Sequence, residues 1–180
     1  MLLNDPPRSI VAALRGATGG DHDRVDAAYS DFDLAAPDSY RAFLHAHARA
    51  LPAAEDALEA VPGLPHFRPR TPLLAADLAA LGETMPPPLP FTLPAGDAAA
   101  WGALYVVEGS RLGGIMLART VPDGLPTTYL GARHLSGEWR ELLGALDNAA
   151  TLAGSDVWID QAITGARATF DLYRRAAAAR

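Results

Sequence analysis

Apolar side chains recur every three or four residues along most of this chain, which is the spacing of one face of an α-helix. The first such stripe lies within residues 10–29, and the last lies within residues 158–173. No segment alternates apolar and polar residues over more than a few positions, as a half-buried strand would. The pattern therefore predicts an all-α fold of about six or seven helices.

Helix starts and stops are predicted from capping residues, prolines and glycines. Residues suited to begin a helix are Ser39, Thr71, Asp97, Ser136 and Ser155. Pro52 is predicted to disturb the second helix, and Gly82 is predicted to stop the third. The proline-rich residues 85–90 and the segment 122–133 are predicted to be irregular connections.

Three glycines interrupt the apolar pattern of the predicted fourth helix, at Gly109, Gly113 and Gly114. Each costs a helix about 1 kcal/mol relative to alanine, so a compensating role is expected. Gly109 and Gly113 are four residues apart and share one face of the helix. That bare face would admit a flat ligand, or it would serve a close helix crossing or a break in the helix. The pattern alone leaves these interpretations open.

The first predicted helix carries His22 on its apolar stripe. Such a histidine is either a core residue or a metal ligand. Asp26 follows one turn later and could orient one ring nitrogen, which would leave the other free to bind a metal. Arg15 precedes His22 by two turns and could meet an anionic group. A histidine on one helix and a bare glycine face on another suggest a planar metal macrocycle held between helices.

The composition excludes several classes of protein. The 180 residues contain no cysteine, which rules out disulfides, iron–sulfur ligation and thiol catalysis. A formal net charge of −6 argues against nucleic-acid binding. No apolar run approaches the roughly 20 residues of a membrane span, and no secretion signal is recognised, so a cytoplasmic location is expected. Without repeats or an interdomain linker, residues 1–180 are predicted to form one domain, with disordered ends at 1–8 and 176–180.

Two segments of the sequence resemble those of heme oxygenases. The run LRGATGGDH at residues 14–22, followed by Asp26, is similar to the first-helix signature of that family. The run LYVVEGSRLGG at residues 104–114 is similar to its distal helix, in the bacterial form that often accompanies bacteriophytochromes. Shorter similarities occur at residues 67–70 and 77–82, so the resemblance covers nearly the whole chain. It implies a single heme-oxygenase-like helical bundle.

The resemblance also implies roles for individual residues on both sides of a heme. His22 matches the proximal iron ligand. Gly109 and Gly113 match the glycines whose backbone lies over the heme on its oxygen side, and Gly114 completes that flexible segment. Ser110 stands where animal-type members carry an aspartate that organises distal water.

Other matching positions are implied to bind the edges of the heme. Arg15 corresponds to a basic position near a heme propionate, and Tyr105 to a tyrosine near the heme edge. Asp26 and Phe170 complete the expected heme-binding set. Arginines of the last two helices are expected to supply a remaining propionate contact.

The implied reaction opens b-type heme, which is both cofactor and substrate, to biliverdin, carbon monoxide and ferrous iron. Oxygen is consumed, and the electrons must come from an external donor, a ferredoxin or a reductase, because no flavin or nicotinamide fingerprint is present. A bacteriophytochrome is a candidate acceptor of the biliverdin. Neither nucleic acid nor a membrane is an expected partner.

Two departures from the family pattern keep a non-enzymatic alternative open. Gly16, Gly19 and Gly20 precede His22 where the family has helix-forming residues, and they are expected to loosen or interrupt the first helix. Serine at the aspartate position changes the distal proton supply. The alternative is a heme carrier or a regulatory interaction module with the same fold. His45 and His47 do not face each other on a helix, so they are interpreted as part of a solvated face and not as a metal pair.

Overall fold

The computed structural model describes residues 9–179, and within that range the backbone forms six α-helices and no strand. Their bounds are α1 (Ile10–Tyr29), α2 (Pro37–Glu59), α3 (Thr71–Ala80), α4 (Asp97–Ala118), α5 (Glu138–Ala153) and α6 (Asp156–Ala178). The predicted all-α class is confirmed. None of the helices in residues 9–179 has the length and hydropathy that a membrane-spanning segment requires.

The predicted disordered ends are only partly within the described range. Residues 1–8 and residue 180 lie outside it. Helix α6 continues through residues 176–178, and Ala176 and Ala177 are buried there. The expectation of disorder is therefore wrong for these residues, because small apolar side chains pack in the core.

Several helix boundaries differ by one to three residues from the predicted ones. Ser155 is the N-cap of α6, as predicted. Helix α2 begins at Pro37 and not after Ser39, since the fixed φ of proline suits the first turn of a helix. Pro52 lies inside α2, which continues to Glu59. The predicted disturbance there is wrong, because α2 is buried along most of its length and packing outweighs the cost of roughly 3 kcal/mol for a helical proline.

Helices α4 and α6 cross at very close range, and two glycines make this possible. A Cβ atom added at Gly102 would collide with the backbone carbonyl of Ala162, and one added at Gly165 would collide with the carbonyl of Ala99. The close crossing that the glycines of α4 suggested is therefore located about two to three turns before Gly109, at Gly102 and Ala99. Helix α4 is continuous through residues 109–114, so these glycines do not break it.

Candidate functional site

A cavity of about 550 Å³ separates α1 from α4, and parts of α2, α5 and α6 complete its walls. The structure brings all nine residues of the expected site together around it: Arg15, His22, Asp26, Tyr105, Gly109, Ser110, Gly113, Gly114 and Phe170. A larger groove of about 1240 Å³ lies between α1, α5 and α6, but no histidine, tyrosine or arginine lines it. The chemistry that the sequence predicts is therefore concentrated in the cavity between α1 and α4.

His22 is on the α1 wall of this cavity and is not a core residue. Its side chain is 61% exposed, and Nδ1 lies 3.1 Å from Oδ2 of Asp26. The ring of Phe170 meets the imidazole edge-on, with 6.0 Å between ring centroids. Within residues 9–179, Nε2 of His22 has no hydrogen-bond partner. One ring nitrogen is thus oriented by a carboxylate, and the other is available to a ligand.

The glycines before His22 do not interrupt α1, contrary to expectation. The helix runs unbroken from Ile10 to Tyr29. Side-chain packing holds it in place, since Leu14 and Thr18 are buried on the inner face. A Cβ atom added at Gly19, which lines the cavity, would meet nothing within 4 Å.

The α4 wall presents bare backbone to the cavity. A Cβ atom added at Gly113 would meet nothing within 4 Å, so this position opens onto free space. At Gly109 the added atom would lie 3.4 Å from Cη2 of Trp139, in ordinary contact. At Gly114 it would lie 3.0 Å from the carbonyl oxygen of Leu130, so this glycine mainly permits a connecting segment to pack on α4. Gly109 and Gly113 form the open strip.

The deep end of the cavity contains polar groups that the sequence did not reveal as site residues. Nη2 of Arg70 donates to Oγ of Ser110 at 2.7 Å and to the carbonyl of Val107 at 2.8 Å. Glu55 fixes the Arg70 backbone by accepting its N–H at 2.7 Å. The guanidinium also lies 5.4 Å above the centre of the Tyr129 ring. The Ser110 hydroxyl in turn donates to the carbonyl of Val107 at 2.7 Å, so the Arg70 guanidinium and this carbonyl together set its orientation at the cavity wall.

His47 and Tyr129 form a second polar pair at the same end. The phenol oxygen of Tyr129 is 2.7 Å from Nδ1 of His47. Burial lowers the pKa of His47 to about 3, so the ring is neutral near pH 7. Since the phenol needs an acceptor and Nδ1 offers one, we assign the phenol as donor, which leaves the imidazole proton on Nε2. Asp77 holds Tyr129 in place by accepting its backbone N–H at 2.8 Å.

The hydroxyls of Tyr29 and Tyr173 are buried and have no hydrogen-bond partner among the described residues. Both residues line the cavity and pack against the ring of His47. Burial raises the pKa of each phenol, so both stay protonated donors. A buried polar atom without a partner costs free energy unless a water or a ligand meets it.

Comparisons with known proteins agree with this geometry. No family model matches the chain. A heme oxygenase of Xanthomonas campestris pv. campestris (strain 8004) is 34% identical over 114 residues, which cover 58% of this chain and 64% of that protein. The crystal structures of NO- and CO-bound heme oxygenase from Neisseria meningitidis contain a chain with a TM-score of 0.76 and 25% identity, covering 94% of this chain and 90% of that one. The chain is thus similar to heme oxygenases in part of its sequence and in its fold.

The heme oxygenase fold places the arginines of the last two helices away from the cavity. Among the described arginines of α5 and α6, none lines it. Arg167 donates to the carbonyl of Ala17, and Arg174 and Arg175 bind Asp171. Intrahelical and helix-to-helix contacts engage these arginines, and the expected propionate contact stays a prediction. Arg15 is the arginine at the cavity mouth.

The position of His47 shows that the interpretation of this residue as part of a solvated helix face is wrong. It lies on the same stripe of α2 as Phe43 and packs on that ring with 4.4 Å between centroids. It therefore lines the cavity between α1 and α4 and is not part of a solvated helix face. His45 points elsewhere and pairs with Glu83 at 3.1 Å. The apolar spacing of Phe43, His47 and Leu51 was the signal in the sequence that could have placed His47 inward.

Proposed function

We propose that this chain is a heme oxygenase that binds b-type heme between α1 and α4 and opens the ring to biliverdin, carbon monoxide and ferrous iron. One observation carries the proposal. A histidine nitrogen without a protein partner and a strip of bare helix backbone face the same cavity. A flat macrocycle with a central metal fits between two such walls, whereas a bulkier ligand would gain nothing from the missing Cβ atoms.

The cavity residues fit a heme in size and in chemistry. A volume of about 550 Å³ is within the range of roughly 300–1,000 Å³ typical of small-molecule sites. Apolar wall residues such as Phe170 and Val106 suit the faces of a porphyrin, and Arg15 at the mouth suits a propionate. The buried hydroxyls of Tyr29 and Tyr173 would gain partners from a ligand or from water.

His22 would hold the iron through Nε2, and Asp26 would fix the orientation of the imidazole. A neutral histidine donates to iron less strongly than a thiolate, which suits oxidation of the macrocycle itself. When bound, heme supplies both the iron that activates dioxygen and the carbon that is oxidised.

The residues on the α4 side would orient oxygen and hold protons. Gly113 leaves space beside the distal face, where any larger side chain would stand. The Ser110 hydroxyl is oriented by Arg70, and Nε2–H of His47 is a donor that no described residue engages. The phenols of Tyr29 and Tyr173 add two protonated groups at the same end. Together these groups would anchor water and deliver protons in the polar part of an otherwise apolar cavity.

Electrons are proposed to come from a separate ferredoxin or reductase, and a bacteriophytochrome is proposed as one acceptor of the biliverdin. A cytoplasmic location is part of the same proposal, since both partners would be found there.

A hemin titration followed by reduction under air tests the proposal. We expect a strong absorbance band of bound heme, its loss on addition of ascorbate or a ferredoxin system, and the appearance of green biliverdin. Uptake of heme without pigment would favour the heme carrier. If the protein takes up no heme, both the heme oxygenase and the heme carrier are refuted, and the interaction module is left.

A further inference from the structure

A buried ion pair lies on the face of α4 that points away from the cavity. The side chains of Glu108 and Arg111 are 4% and 1% exposed, and Nε of Arg111 lies 2.9 Å from Oε2 of Glu108. At about 100° per residue, the pair is roughly 150° around the helix from Gly109 and Gly113. The proposed mechanism makes no use of these charges.

The ion pair connects α4 to two neighbouring segments. Nη2 of Arg111 donates to the backbone carbonyl of Arg68, in the segment before α3. Nε2 of His134 lies 3.3 Å from Oε2 of Glu108, and His134 is itself 8% exposed. Arg68 and Glu138 join these two segments to each other through a bidentate pair at 2.8 and 3.0 Å. Glu108 is thus in contact with the helix and with the segment that leads into α5.

A stack of aromatic rings leads from His134 to the cavity. His134 stacks on Trp139 with 5.3 Å between centroids, and Trp139 stacks on Tyr105 with 5.8 Å. Trp139, Tyr105 and Gly109 all line the cavity, and Trp139 is the side chain nearest to the open side of Gly109. A rotation of α4 would therefore move both the glycine strip and the ring that closes one end of it.

Stabilisation of the fold does not explain well why this cluster of charged and polar side chains is buried. Replacing a buried ion pair by apolar residues of similar volume is often neutral or stabilising, because the charges lose their hydration. Oε1 of Glu108 and both ring nitrogens of His134 are also buried without a hydrogen bond to a described residue, which adds to the cost; Nε2 approaches Oε2 of Glu108 to 3.3 Å without hydrogen-bond geometry. Directional groups of this kind do restrict how a helix can be turned against its neighbours.

We propose that Glu108 is a positioning residue: with Arg111 and His134 it sets the rotation of α4 about its axis, and thereby the placement of the glycine strip and of Trp139. The proposal rests on the proposed function in so far as the positioned site is a heme site. Glu108 itself touches neither the substrate nor the open cavity.

The double variant Glu108→Gln/Arg111→Met tests the positioning role, because it removes both charges and leaves no buried charge unpaired. Two measurements are made. The first needs no heme: iodide quenching of Trp139 is measured in a background carrying Trp101→Phe and Trp158→Phe, two tryptophans that pair with each other outside the cavity. The second is the hemin affinity together with the C–O stretching band of the ferrous carbon monoxide complex.

We expect the double variant to melt close to the parent while Trp139 becomes more accessible to iodide. Hemin affinity should fall on the order of tenfold, as is typical when an indirect support of a metal site is removed, and the C–O band should shift or split. The control Leu58→Ala, in the core away from the cavity, should lower the melting temperature without changing either readout. If the double variant does not fold, His134→Leu takes its place, because it removes the ring stack and the contact of His134 with Glu108 but keeps the ion pair.

Unchanged quenching and an unchanged C–O band in a folded variant would overturn the positioning role. If the parent binds no hemin, the proposed function fails, and the quenching measurement alone then decides whether Glu108 positions Trp139.

Discussion

Filling the open position at Gly113 should separate folding from function. Helix interiors gain about 1 kcal/mol when glycine becomes alanine, and leucine is nearly as favourable. Because a Cβ atom at residue 113 meets nothing within 4 Å, no clash offsets this gain. For a chain of this length, about 1 kcal/mol corresponds to a rise of roughly 2–4 °C in melting temperature. Gly113→Ala and Gly113→Leu should therefore both fold, and the alanine variant should melt higher than the parent.

The leucine side chain would occupy the space that the proposal assigns to heme and to oxygen. A displacement of about 1 Å at a reacting centre can cost about 100-fold in rate. We therefore expect Gly113→Leu to form biliverdin at least about 100-fold more slowly than the parent, with Gly113→Ala in between.

Gly144 supplies the matched control, since it is also inside a helix, also has an open Cβ position, and does not line the cavity. Gly144→Leu should show a similar change in stability with unchanged turnover. Melting is followed by circular dichroism, and turnover by the absorbance of heme and of biliverdin. If Gly113→Leu degrades heme as fast as the parent, the assignment of α4 as the distal wall is wrong.

Three further predictions follow from the same geometry. His22→Ala should abolish tight heme ligation, and added imidazole should restore the ligated spectrum; an unchanged spectrum would exclude His22 as the ligand. Gly102→Val should fail to fold or melt far below the parent, since its Cβ would collide with the carbonyl of Ala162, whereas Gly113→Ala should not. Burial lowers the pKa of His47 from 6.5 to about 3, so the unfolded chain binds the proton first as pH falls. The contribution of neutral His47 to the free energy of unfolding is therefore complete above pH 6.5 and is lost as the pH falls toward 3. Between pH 6.5 and 5 the free energy of unfolding should fall by about 2 kcal/mol more for the parent than for His47→Gln, and equal losses in urea titrations would contradict the shift.

Periodicity and family resemblance were sufficient for the helices and for the two main walls of the cavity. The stripe from Ile10 to Tyr29 corresponds to α1 residue for residue, because the helix packs on one side, where Ile10, Leu14 and Thr18 are buried. The glycines at 109 and 113 were recognised because they violate helix propensity at a place where nothing in the sequence compensates.

Contacts between distant segments could not be predicted in the same way. Tyr129 lies in a segment without periodicity, and only the fold shows that Asp77, 52 residues earlier, accepts its backbone N–H. Gly102 and Gly165 resembled ordinary helix positions, since their role depends on which helix lies across from them. The pairing of Asp171 with Arg174 and Arg175 of α6 was likewise not predicted, although the residues are three and four positions apart.

The glycine strip also explains why the polar groups of the cavity come from several elements. A helix wall that must lack Cβ atoms toward the ligand cannot present donors from the same positions. Helix α4 contributes the hydroxyl of Ser110 beside the strip and that of Tyr105 one turn before it. The other donors therefore lie on segments that face α4 across the cavity: Arg70 on the connection before α3, His47 on α2, and Tyr29 on α1. Each of these needs its own anchor, and Glu55, buried and accepting backbone N–H groups at residues 70 and 71, supplies one of them. A buried carboxylate such as Glu55 thus supports the site by anchoring a donor that the glycine strip of α4 cannot itself carry.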